Sequence, residues 1–137
     1  MALFVWQEIY SVGVDRIDNQ HKTLFEIANR FHAAFERGEA RAMLSSIFTD
    51  LVNYTAFHFA EEEQMLQQCG YADYDRHKAN HEKLVNLVLG YQRQLDSGEP
   101  GVEPHAMNFI RTWLNGHVLG MDRNYRDSVR PAMSRST

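Results

Sequence analysis

The sequence predicts an all-α protein: an up-down-up-down antiparallel four-helix bundle preceded by an N-terminal arm. Apolar residues recur at spacings of three and four along four segments, which is the period of a helix with one buried face. Glycine and proline separate these segments, and the short connections favour antiparallel neighbours. At 137 residues we expect one domain over 1–137, with the arm at about 1–17 and the bundle at about 18–130.

The first two elements are the arm and the first helix. The arm carries apolar side chains and is broken at Gly13. We expect the first helix at about 18–37, with Asp18 as its N-cap and Gly38 as its stop. Its predicted buried face consists of Leu24, Phe25, Ala28, Phe31 and Phe35, and His21 lies on the same face.

Three further helices follow the same pattern. We expect the second at about 40–69 before Gly70, and the third at about 72–97 before Gly98. The fourth is expected at about 104–127, after a loop marked by Pro100 and Pro104. The predicted buried faces comprise Leu44, Ile47, Leu51, Tyr54, His58 and Met65 on the second helix, His77, His81, Leu84, Val88, Tyr91 and Leu95 on the third, and Ile110, Trp113, Leu114 and His117 on the fourth.

Histidines interrupt these apolar faces in a regular way. His58 precedes Glu62 by four residues, and His77 precedes His81 by four. Four residues advance a helix by about 400°, so each pair points to one side, one turn apart. Singly, such a histidine is more often a hydrogen-bonded core residue or a solvated one, and a run of glutamates is more often a charged helix face. Their joint placement on four core faces favours metal binding.

Two carboxylate positions are less regular. Glu62 has the four-residue offset from His58, and Glu61, at three, is its rival. Asp122 follows His117 by five residues, about 500° on a straight helix. Either the helix widens in a π-bulge near Gly120, or Asp122 reaches around the seam between helices.

Five imidazoles and two carboxylates are more ligands than one tetrahedral zinc needs, so the pattern predicts a buried two-metal site. Cations there would offset the cost of burying both carboxylates. The candidate ligands are His21, His58, Glu62, His77, His81, His117 and Asp122. The other two histidines, His32 and His105, lie about 16 and 18 Å along their helices from His21 and His117, too far to bind the same centre.

Composition limits the other functions. The net charge is −4 with no basic patch, which argues against nucleic acid. The N-terminus lacks the basic region of a signal peptide and no apolar run reaches membrane length, so membrane insertion is not expected. One cysteine, Cys69, cannot form an intrachain disulfide, which is consistent with the cytoplasm.

The sequence resembles the bacterial hemerythrins (single-domain bacteriohemerythrins) over nearly its whole length. Three elements carry the resemblance on the first three helices: Asp18-Asn19-Gln20-His21-Lys22, His58-Phe59-Ala60-Glu61-Glu62, and Gly70-Tyr71 followed by His77-Lys78-Ala79-Asn80-His81. On the fourth they are Trp113-Leu114 with His117 and Asp122, and the arm adds Trp6 with Val12-Gly13-Val14. Seven matching ligands at this spacing make the resemblance highly specific.

The resemblance implies a non-heme di-iron centre that binds dioxygen reversibly. It assigns His77, His81 and His117 to one iron and His21 and His58 to the other, while Glu62, Asp122 and an oxo or hydroxo group bridge them. The iron with two histidines keeps an open position for dioxygen. Apolar side chains expected to keep this oxygen pocket dry are Leu24, Phe25, Phe59, Trp113 and Leu114.

The resemblance therefore favours a binding protein over an enzyme, serving oxygen transport, storage or delivery. Ferritin-type oxidases and ferroxidases use more carboxylates and Glu-x-x-His motifs, which the core faces lack. Oxygen or redox sensing through a separate partner stays open, as do protection against oxygen and delivery to an oxygen-consuming enzyme.

Overall fold

Four helices form the bundle, and the arm packs across it. The computed structural model of the chain describes residues 4–117 and 125. Within them, a 3-10 helix at Glu8–Tyr10 precedes α1 (Asp15–Glu36), α2 (Arg41–Gln68), α3 (Tyr74–Asp96) and α4 (Val102–Asn115), with no strand. Both α1 and α3 pack against α2 and α4, and the connections at 37–40, 69–73 and 97–101 are short. The predicted all-α antiparallel bundle is confirmed.

Three helices end at the predicted glycines. At Gly38 φ is +68°, and the N–H of Glu39 donates to the carbonyl of Ala34. This closure requires a left-handed residue, which glycine adopts without a Cβ clash. Gly70 and Gly98 end α2 and α3 in the same way, with φ of +65° and +76°.

The prediction that Asp18 caps α1 is wrong, because α1 begins three residues earlier, at Asp15. The Asp18 carboxylate instead accepts hydrogen bonds from the Val12 backbone N–H at 2.8 Å and the Ser11 hydroxyl at 2.6 Å. It therefore fastens the arm onto the first turns of α1. Nearer the start of the arm, the Phe4 backbone N–H donates to the side-chain oxygen of Asn29, and the Asn29 side-chain amide donates to the Phe4 carbonyl, each at 2.8 Å.

The fourth helix also starts earlier than predicted, at Val102. Pro104 lies in its first turn, where a helix needs no N–H donor. Beyond Asn115 the backbone is π-helical at Gly116 and His117. The predicted end near 127 lies outside the described residues.

The interior of the bundle divides along its axis. The apolar half lies where α1 and α3 end and α2 and α4 begin, and it contains Phe31, Leu44, Phe48, Leu95, Val102 and Ala106. The opposite half, where α1 and α3 begin, holds five of the seven histidines and is called the histidine half below. No helix among the described residues is both long and apolar enough to cross a membrane.

Candidate metal centre

All four helices contribute to one polar cluster in the histidine half. It consists of His21 from α1, His58 and Glu62 from α2, His77 and His81 from α3, and His117 just beyond α4. None of the six is more than 3% exposed. The antiparallel order brings them together, because the beginnings of α1 and α3 lie beside the ends of α2 and α4.

Glu62 lies at the centre of this cluster. In the run Glu61–Glu63 it is the one fully buried side chain, whereas Glu61 and Glu63 are half-buried. The four-residue offset from His58 therefore places Glu62, and not its rival Glu61, in the interior.

The two oxygens of the Glu62 carboxylate face different histidines. Oε1 lies 2.6, 3.0 and 3.8 Å from Nε2 of His77, His81 and His117. Oε2 lies 3.3 and 3.6 Å from Nε2 of His58 and His21. One carboxylate thus belongs to two sets of ligand atoms, each set lying within 4.8 Å. We call them the three-histidine group and the two-histidine group.

The surroundings favour the ionised form of Glu62. Burial by itself would raise the pKa of this carboxyl. The charge of His58 and hydrogen bonds with His21, His58 and His77 outweigh burial and hold the pKa of Glu62 well below its ordinary value. The centre therefore carries a negative charge at the point shared by both groups.

Two histidines are oriented by hydrogen bonds on the far side of their rings. Nδ1 of His58 donates to the amide oxygen of Gln20 at 2.7 Å. Nδ1 of His81 donates to the carboxylate of Glu63 at 2.9 Å. For His81 in its neutral form, a proton on Nδ1 leaves the lone pair on Nε2, which faces Glu62.

This arrangement fits a bound metal. In a neutral His81, the Nε2 lone pair faces an oxygen of Glu62 at 3.0 Å, so two acceptors oppose each other. A cation between the two atoms binds both. Imidazole and carboxylate ligands suit iron and other transition metals.

Apolar side chains enclose the cluster. Phe59 stacks on His81 with a centroid distance of 3.7 Å, and Trp113 lies 6.3 Å from Phe59 and 6.4 Å from His117. These two rings therefore cover His81 and His117 of the three-histidine group. Leu24 and Leu114 are fully buried.

Phe25, also predicted to line the oxygen pocket, contacts the arm. Its ring lies 5.0 Å from those of Phe4 and Tyr10 and 5.9 Å from that of Trp6. The arm thus closes over α1 through an aromatic cluster.

The sequence model of the Hemerythrin HHE cation binding domain family matches residues 12–126. The chain belongs to the hemerythrin family. It is 36% identical to a bacteriohemerythrin of Pseudomonas aeruginosa, over 98% of this chain and 86% of that protein. The bacteriohemerythrin of Methylococcus capsulatus is 35% identical, over 91% and 95%. A crystal structure of wild-type hemerythrin, 33% identical, superposes with a TM-score of 0.86 over 94% of this chain and 99% of that one.

Six of the seven predicted ligands of this hemerythrin-family chain come together in the cluster. The seventh, Asp122, and the proposed bulge at Gly120 lie outside the described residues. The π-helical backbone at Gly116 and His117 shows that the helix already widens before them.

Three polar contacts of the cluster were not anticipated. Besides Gln20 and Glu63, the fully buried Tyr125 donates from its hydroxyl to Oε2 of Glu62 at 3.0 Å. A signal existed for two of them: Gln20 is four residues before Leu24 on the core face, and Tyr125 is three after Asp122. Glu63 offered none, since it reads as part of a charged face.

The two remaining histidines are placed elsewhere. His32 is half-buried beside a cavity of about 220 Å³ between α1 and α4, with Phe35 and Arg111 among its lining residues. His105 is exposed. Neither belongs to the two ligand groups found among the described residues.

Proposed function

We propose that this protein binds dioxygen reversibly at a non-heme di-iron centre. One observation carries the proposal: the buried carboxylate of Glu62 is shared by a group of three histidines and a group of two. A carboxylate with a set of nitrogens at each oxygen is suited to bridge two metals. The names of the relatives, bacteriohemerythrin and hemerythrin, support the same chemistry.

The residues divide between the metals by which oxygen of Glu62 they face. His77, His81 and His117 would hold one iron, and His21 and His58 the other. We propose Glu62 and Asp122 as bridges, with an oxo or hydroxo group as the third. Two irons supply the two electrons that reversible dioxygen binding needs. The iron with one nitrogen fewer would have a position available for dioxygen.

The protein around this position has to exclude water and withhold protons. We propose Leu24, Phe25, Phe59, Trp113 and Leu114 as the apolar lining that does so. All five are at most 5% exposed. Tyr125 and Gln20 form hydrogen bonds with Glu62 and His58 and so hold these two side chains in position.

The donor set argues against an enzyme. The described cluster holds five imidazoles and one carboxylate, the reverse of the carboxylate-rich di-iron oxidases. We propose oxygen transport, storage or delivery in the cytoplasm. Sensing through a separate partner and oxidase or ferroxidase chemistry are the alternatives. The following experiment separates oxidase chemistry from reversible binding.

The test is metal content together with the absorption spectrum. Protein expressed with iron should contain two irons per chain. Its visible spectrum should change when oxygen is removed and return when oxygen is readmitted. About one metal per chain, or zinc after iron-replete expression, would contradict the di-iron centre. A spectrum that changes once and does not return would favour oxidase chemistry.

Matched controls use the histidines outside the cluster. His32→Ala and His105→Ala should keep two irons and the reversible spectrum, whereas His58→Ala should lose iron. Equal losses in all three variants would mean that the cluster is not the iron site.

A further inference from the structure

One histidine of each ligand group donates from Nδ1 to an acceptor of different charge. In the two-histidine group, His58 donates to Gln20, a neutral amide that is 5% exposed. In the three-histidine group, His81 donates to Glu63, a carboxylate. Both hydrogen bonds use Nδ1 and both leave Nε2 facing Glu62. The imidazoles of His58 and His81 are therefore oriented in the same way, but one donates to a neutral amide and the other to a carboxylate.

A carboxylate acceptor polarises an imidazole more than an amide does. Hydrogen bonds to ionised acceptors are about twice as strong as neutral ones. A carboxylate on Nδ1–H also raises the electron density at Nε2 and makes the histidine a stronger donor to a metal. His81 is thus the more strongly donating of these two ligands. A stronger donor stabilises the higher oxidation state of the metal that it binds.

The surroundings of His81 keep this contact in place. Phe59 stacks flat on the ring at 3.7 Å, so the imidazole cannot rotate away from Glu63. Glu63 lines a groove of about 470 Å³ between α2 and α3, beside the small residues Ala56 and Ala60. Its side chain is 20% exposed, so solvent lowers the cost of keeping its charge next to the buried ring.

We propose that Glu63 is a positioning residue that acts through His81 and stabilises the ferric state in the three-histidine group. This inference rests on the proposed di-iron function and adds a residue that sets the redox balance of that centre. Gln20, the corresponding acceptor of His58, is a neutral amide.

The test compares two variants that remove the same charge one residue apart. Glu63→Gln keeps an oxygen that can accept from His81 but removes the negative charge. Glu61→Gln removes a charge from a half-buried side chain that belongs to neither of the two ligand groups found among the described residues. A general effect of lower net charge would appear equally in both variants.

The reduction potential of the iron-loaded protein is the main measurement. Loss of an outer-shell partner lowers metal affinity by about tenfold or more. If this loss falls on the ferric state, we expect the ferric-to-ferrous ratio of Glu63→Gln at a fixed ambient potential to fall about tenfold. For a one-electron step this is a rise of about 59 mV. Glu61→Gln should change the ratio less than about twofold. No shift in Glu63→Gln, or equal shifts in both, would overturn the proposal.

Two further readings separate this inference from the proposed function. Iron content is measured first: wild-type protein without two irons contradicts the di-iron centre, whereas two irons with an unshifted potential in Glu63→Gln contradict only the role of Glu63. Loss of iron from Glu63→Gln would overturn it in favour of a purely structural contact. In metal-free protein, NMR should find the His81 proton on Nδ1 and shift its resonance in Glu63→Gln. A proton on Nε2 alone would also overturn it.

Discussion

The apolar half and the histidine half of the bundle use the same four helices for opposite purposes. In the apolar half, Phe31 and Phe48 pack edge to face at 5.7 Å, and both are fully buried. In the histidine half the corresponding space is filled by five imidazoles around a carboxylate. Burying one large apolar side chain stabilises the fold by about 1.5–3 kcal/mol, whereas burying a carboxylate costs stability unless it is paired.

This difference assigns folding stability mainly to the apolar half and metal binding to the histidine half. The apolar half supplies folding free energy without any metal. In the histidine half the buried charged cluster lowers the stability of the fold. Metal binding would offset this destabilisation. Variants in the two halves should therefore separate stability from metal content.

The largest expected effect is in the histidine half, at Glu62. Glu62→Ala removes the carboxylate that both ligand groups share, so we expect loss of both irons and not of one. Elemental analysis and the visible spectrum measure this. Glu61→Ala is the matched control and should retain both irons. Retention of one iron in Glu62→Ala would mean that the two groups bind independently.

The next effect is in the apolar half, at Phe48. Phe48→Ala opens a cavity beside Phe31 and should lower the free energy of unfolding by about 3–5 kcal/mol. Urea denaturation of the metal-free protein measures this. The folded variant should still bind two irons. Loss of iron under conditions where the variant remains folded would show that the halves are not separable.

Leu114 is expected to affect both fold stability and the metal centre, because it is fully buried and lies three residues before His117. Leu114→Ala should lower the free energy of unfolding by about 2–5 kcal/mol. The cavity that it leaves should let water approach the metal centre. We expect faster decay of the oxygenated absorption band with both irons retained.

The matched control for this variant is Leu95→Ala in the apolar half, where Leu95 is 1% exposed. It should destabilise the fold similarly without changing the decay rate. Unchanged decay in Leu114→Ala would mean that Leu114 does not keep the site dry. Loss of iron would mean that it chiefly supports the fold.

The smallest effect is at the far end of the apolar half. There Arg41 pairs with Glu103 and donates to the carbonyls of Leu95 at 3.2 Å and Glu99 at 2.6 Å. A backbone hydrogen bond lowers the pKa of Glu103 below its ordinary 4.5; burial opposes this, and the contacts of Arg41 reinforce it. A lowered folded pKa means that the stabilisation exists above 4.5 and is lost as the pH falls through the folded value.

Glu103→Gln should therefore lower the free energy of unfolding by about 0.5–1 kcal/mol at neutral pH. The difference from wild type should shrink toward zero in acid. Urea titrations at pH 7 and at pH values below 4.5 measure it. A difference that stays constant across this range would assign the effect to packing and not to the ion pair. Iron content should be unchanged at neutral pH.

Much of this protein could be predicted from local sequence. Apolar spacing identifies four helices because helical periodicity depends only on neighbours along the chain. The helix-ending glycines follow from the same local rules. The offset from His58 to Glu62 selected the buried carboxylate for the same reason, since residues four apart share a face whatever packs against them.

Only the tertiary structure decided which polar groups complete the cluster. Glu63 reads as surface charge, yet it contacts His81 from the neighbouring helix. Asp18 is of a residue type that commonly caps helices, yet its carboxylate accepts a hydrogen bond from Val12 and holds the arm. Such partners are separated along the chain and meet only when the helices pack. Hydrogen bonds between helices depend on how each helix is rotated about its axis and shifted along it relative to its neighbour. The spacing of residues within one helix does not determine either quantity.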